Sequence, residues 1–88
     1  MKIHRETKDR VKDHFVYRRK SKRGWSVVIM PDNIRIDNFH GFPHIHIHKK
    51  AGHEEIGIDD PDLVYFIVMD HIQRENGLNI EKLKEELG

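Results

Sequence analysis

Within GFPHIHIHKK (residues 41–50), His44, His46 and His48 stand at every second position, with Ile45 and Ile47 between them. In a strand, residues two apart share a face and each residue rises about 3.3 Å, so neighbouring rings in this row lie about 6.6 Å apart. Two chemistries are open to it. Two histidines titrating near neutrality can take and return protons at one phosphate, as a 2′-hydroxyl attacks its own phosphodiester. Lys49, Lys50 and Arg35 are then candidates for the positive charge that the developing oxyanion needs. Alternatively, two neighbouring histidines close on a divalent ion such as zinc or manganese. Three on a straight strand span about 13 Å and do not converge, so a metal site needs ligands from elsewhere. His44 and His46 with His53 form the candidate set, and Asp37, His40, Glu54 and Glu55 are further donors. The same alternation also suits a strand with isoleucine inward and histidine merely solvated.

The elements that must position these residues follow from periodicity. HFVYRRK (14–20) and WSVVIM (25–30) are rich in β-branched and aromatic residues and read as strands separated by a turn at Gly24. Pro31, Asp32 and Asn33 form a turn tripeptide. Ile34 and Ile36 alternate with Arg35 and Asp37 in a half-buried strand, and Asn38 reads as a turn residue before Gly41 and Pro43 break the chain. HIHIHKK (44–50) is the next strand, and AGHEEIGI is a short edge-strand candidate. Residues 59–76 read as the main helix, with Asp59 or Asp60 as N-cap, Pro61 in the first turn and Gly77 as terminator. A second helix starts from Asn79 and carries Ile80, Leu83 and Leu87 on one stripe. Strands followed by helices predict an α+β fold: a four- or five-stranded antiparallel sheet with two C-terminal helices packed on one face.

With 88 residues the chain predicts a single domain, 1–88, near the lower size limit for a self-sufficient core. Residues 1–13 read as a basic N-terminal arm or an edge strand. Cysteine is absent, which excludes disulfides and thiolate metal sites. MKIHRETKDR has no apolar run, so neither a signal peptide nor a membrane span is expected, and a cytoplasmic location follows. The net charge of +1 conceals polarity: residues 1–23 balance to +7 and residues 51–88 to −7. A basic segment holding Arg18, Arg19 and Lys20 suits a polyanion, although the same residues also protect a sheet edge. The run from Leu63 to Met69 is more apolar than one buried stripe needs, which predicts a contact of helix 61–76 with a partner or a second copy. His4 and His14 are expected at the surface and His71 as a packing residue on the helix.

RIDNFHGFPHIHIHKKAGHEEI (35–56) resembles the strand–loop segment of TumE-like toxins from bacterial and archaeal toxin–antitoxin pairs. That family carries Tyr-Asp-Asn, a histidine-containing loop, Phe-Pro-His-His-Lys-His or a shorter histidine pair, and then a helix. Asp37-Asn38 matches the Asp-Asn, Phe42-Pro43-His44 the Phe-Pro-His, and His46 or His48 the last histidine. Ile36 stands where the family has tyrosine, the loop is short, and the histidines alternate instead of adjoining. The resemblance implies a ribonuclease-type toxin neutralised by a cognate antitoxin.

The resulting expectation is an endoribonuclease without a cofactor, with a non-enzymatic metal-binding or interaction module as its alternative. His44 and His46 form the acid–base pair, and His48 is the substitute for either. Asp37 orients a histidine, as a carboxylate behind an imidazole fixes its tautomer. Arg35, Lys49, Lys50, Arg18, Arg19 and Lys20 hold RNA phosphates. If strands 33–37 and 44–50 pair, Arg35 and Asp37 share the histidines' face. His44 and His46 are expected to be exposed, so that alanine there leaves stability nearly intact.

Overall fold

The computed structural model describes residues 5–47 and 53–88, and the side chains of 6–47 and 54–88. Six strands form, β1 (Arg5–Val11), β2 (His14–Ser21), β3 (Gly24–Met30), β4 (Ile34–Asp37), β5 (His44–Ile47) and β6 (His53–Glu55), with apolar alternation clearest in β2 to β5. The helices α1 (Pro61–Glu75) and α2 (Ile80–Leu87) follow. The six strands form one antiparallel sheet in the order β1-β2-β3-β4-β5-β6. The connections from β1 through β5 are turns or short loops, as a meander requires.

The fold class is as the sequence predicts, and the strand count is a correction. The extra strand is the basic arm, RETKDRV, which pairs with β2 from Arg5↔Lys20 to Val11↔His14. Its only apolar side chain is Val11, so hydrophobic alternation is silent there. Backbone pairing holds it, and its charges keep the open edge from recruiting another strand. The strand expected over 44–50 is observed over 44–47, and 48–50 fall outside the described residues.

Val16, Val27, Ile29, Ile34, Ile36 and Ile45 point to one face of the sheet, where Val64, Val68 and Ile72 of α1 and Leu83 and Leu87 of α2 complete a fully buried core. Burying each such side chain contributes about 1.5–3 kcal/mol. The opposite face of β2–β5 carries Tyr17, Arg19, Ser26, Val28, Arg35, Asp37, His44 and His46.

Asp60, not Asp59, caps α1, accepting hydrogen bonds from the backbone N–H groups of Asp62 and Leu63. The helix ends at Asn76, whose left-handed φ of 59° precedes Gly77. Asparagine tolerates that conformation, so termination starts one residue before the glycine. Asn79 caps α2 by accepting from Lys82 N–H. His71 is fully buried, and its Nε2 accepts from Asn79 N–H at 3.0 Å. It therefore ties the two helices together, as expected of a packing residue. His14 is half-buried, with Nε2 3.4 Å from Asp32. Of the apolar run on α1, Leu63 and Phe66 remain exposed. No helix of the described residues is long and apolar enough to cross a membrane.

Tyr65 joins α1 to the first two strands, its hydroxyl donating to Asp9 at 2.6 Å and lying 3.2 Å from Val16 O. Burial pushes its phenol well above the usual range, and the bond to Asp9 adds to that shift. The folded state therefore holds the proton more tightly than the unfolded chain. The resulting stability is full below the unfolded pKa of about 10 and falls as pH rises above it. Urea midpoints measured on both sides of that value should drop more for the native chain than for Tyr65→Phe. Parallel pH dependence in the two proteins would contradict this role.

Candidate functional site

Ile34 and Ile36 enter the core, so Arg35 and Asp37 must face the other side of the sheet, and Ile45 forces the same choice on His44 and His46. The β4–β5 register sets Asp37 opposite His44 and Arg35 opposite His46. The shared face expected from the sequence is thus observed.

Asp37 is completely buried at the centre of this cluster. Its Oδ2 lies 2.8 Å from Arg35 Nε and 3.3 Å from His46 Nε2. The contact to His46 runs diagonally across the strand pair, within reach of cross-strand neighbours. Its Oδ1 accepts from the Phe39 backbone N–H at 3.3 Å. One carboxylate therefore contacts a histidine, an arginine and the start of the 38–43 loop. The Asp37 carboxylate, 3.3 Å from Nε2, favours the tautomer with its proton on that nitrogen, which leaves the acceptor lone pair of neutral His46 on Nδ1.

His44 corrects the sequence expectation of exposure: it is 6% exposed. The ring of Phe42 lies tilted over it at 4.7 Å between centroids, and His40 approaches edge-on at 5.9 Å. A loop folding back across the strand covers what alternation alone leaves open. His46 retains 22% of its side-chain surface, and its ring centroid is 5.9 Å from that of His44. The site has a buried and a half-exposed histidine side by side.

The candidate phosphate ligands separate by face. Arg19 and Arg35 lie on the histidine side and, with Arg23, Ser21, Ser26, Val28 and Phe39, line an open cleft of about 520 Å³. Arg18 and Lys20 alternate to the helix side, where Asp62 takes both at 2.7 and 2.9 Å. The hydrogen bond from Lys20 holds the Asp62 carboxyl below its ordinary range. His48, Lys49 and Lys50 lie outside the described residues. The backbone of His53 pairs opposite His46, while its side chain also lies outside them. Among the described residues no three histidine or carboxylate side chains are grouped to hold a metal ion. Sequence reasoning missed Arg23, Phe39 and Phe42 as neighbours of the site. The signal for the two phenylalanines was their place in NFHGFP, a turn segment with nothing to bury them.

Asn38 does more than turn the chain. Its Oδ1 accepts from Trp25 N–H at 2.8 Å, and its amide donates to Asp59 Oδ1, which also accepts from Trp25 Nε1. Gly24 makes room for this clasp. It adopts φ 149°, and a Cβ there would overlap Asn38 Oδ1 and crowd the Phe39 ring. Gly24→Ala should cost about 1–3 kcal/mol through backbone strain and displacement of Asn38. A denaturation midpoint unchanged from the native chain would show that the clasp adjusts freely.

These features define an α+β protein with a helix-backed antiparallel sheet and a histidine–aspartate–arginine cluster on its open face. Comparison with protein families, with characterised proteins and with solved structures finds no match.

Proposed function

We propose that the open face is the active site of a toxin-like endoribonuclease working by histidine acid–base catalysis. The observation that carries this reading is the buried Asp37 carboxylate behind half-exposed His46, with His44 beside it and Arg35 on the same oxygen. His46, held by Asp37, takes the proton from a ribose 2′-hydroxyl through Nδ1. The freed oxygen attacks the adjacent phosphorus, and the bond from phosphorus to the 5′ oxygen breaks. Protonated His44 supplies the leaving oxygen with its proton. The products are a 2′,3′-cyclic phosphate and a 5′-hydroxyl, with no oxidant or co-reactant required. Arg35, half-exposed beside His46, offsets charge on the phosphoryl oxygens.

A DNA oligonucleotide carrying a single ribonucleotide tests the chemistry. The chain should be cut only on the 3′ side of that ribose, and an all-DNA strand should survive. Cutting elsewhere, or none, would remove the 2′-hydroxyl mechanism. RNA is the substrate partner, and an antitoxin is the protein partner implied by the toxin reading. Exposed Leu63 and Phe66 on α1 supply apolar surface for an antitoxin or a homodimer contact. A monomer mass in light scattering would eliminate the homodimer.

A further inference from the structure

We propose that the cleft between Arg19, Arg23, Arg35 and Phe39 is a nucleotide subsite that selects unpaired RNA, with Phe39 stacking on the base and Arg19 and Arg23 holding its phosphate. This deepens the ribonuclease reading and rests on it for the choice of RNA. Three observations support it.

The cleft of about 520 Å³ is within the range of small-molecule sites and opens on the histidine face. Its walls combine three guanidinium groups with an aromatic ring and the hydroxyls of Ser21 and Ser26. Phe39 is 46% exposed, and its backbone is anchored: Asp37 accepts its N–H, and Asn38 beside it is clasped to Trp25. The exposed ring therefore projects from a backbone anchored on the same carboxylate that lies 3.3 Å from His46 Nε2, which places a stacked base near that histidine.

Charge agrees. On this face Lys8, Arg10, Arg19, Arg23 and Arg35 oppose Glu6, Asp37 and Glu55 among the described residues, and Asp37 is already engaged by Arg35 and His46. The sheet continues away from the cleft with Tyr17 and Phe15, over which Lys8 lies at 5.8 and 6.0 Å. Aromatic rings interleaved with cations suit a single strand, whose bases are free to stack. A duplex keeps its bases stacked on each other and offers the cleft only backbone.

The test is binding of the native chain to a 2′-O-methyl RNA of about ten nucleotides, a length within the range one small domain covers. That probe cannot be cleaved, so affinity is read apart from chemistry. The single strand should bind at least about tenfold more tightly than its duplex, and Phe39→Leu should lose about tenfold while Phe39→Trp does not. Arg19→Ala and Arg23→Ala should each reduce the salt slope by about 0.7, and Lys82→Ala on α2 should not. Equal duplex affinity, or no effect of Phe39→Leu and Arg23→Ala, overturns the subsite even where unmodified RNA is cleaved. Phe39-dependent single-strand binding without cleavage of unmodified RNA keeps the subsite and overturns the ribonuclease.

Discussion

His46→Ala should lower RNA cleavage by about 10²–10⁴-fold, the usual contribution of a positioned general base. Binding of RNA should change little, because the arginines around the cleft remain. Stability should fall by less than about 1 kcal/mol, since the ring is part-exposed and its removal leaves Arg35 on the Asp37 carboxylate. His44→Ala separates differently. Its ring is buried under Phe42 and beside His40, so lost packing accompanies lost activity, and a thermal shift should be visible. Cleavage rates with circular dichroism on both variants check the pair. Full activity in folded His46→Ala would take that histidine out of the mechanism.

Asp37→Asn should be the more damaging change, although it preserves shape. The carboxylate accepts from the Phe39 backbone N–H and lies in ion-pair range of Arg35 Nε and His46 Nε2. A carboxamide offers one acceptor oxygen and brings two N–H donors of its own. At least one of the three loses its partner. Stability should fall by about 1–3 kcal/mol, the penalty for a buried polar group left unsatisfied. Cleavage should drop about as far as in His46→Ala, because the ring loses the acceptor that fixes its tautomer. The double variant should then be little worse than either single one, as expected of residues acting as a unit. Independent, multiplying losses would show that Asp37 does not act through His46.

Period-two alternation made the open face legible. Ile34, Ile36 and Ile45 had to enter the core, and that fixed where Arg35, Asp37, His44 and His46 point. The same rule separates Arg19 from Arg18 and Lys20, which the basic cluster in the sequence suggested as one set. The burial of Asp37 and His44 was not legible, since both occupy polar positions of half-buried strands. For His44 it depends on His40 and Phe42 of the 38–43 loop lying against the ring, a loop whose start is tied by Asn38 to Trp25 and Asp59, distant in sequence. β1 was legible only as one of two readings, a basic arm or an edge strand, because a strand held by its backbone partners leaves little hydrophobic pattern. The cleft joins β2, β3, β4, the turn at Arg23 and the loop at Phe39, and only strand register brings these together.

The most direct measurement is incubation of untagged protein with mixed-sequence RNA in excess EDTA, followed by end-group assay. Fragments ending in 2′,3′-cyclic phosphate and beginning with 5′-hydroxyl, absent with His46→Ala, are the expected result. RNA left intact in EDTA, or cut only after a divalent ion is restored, would contradict proton transfer by His44 and His46 as sufficient chemistry.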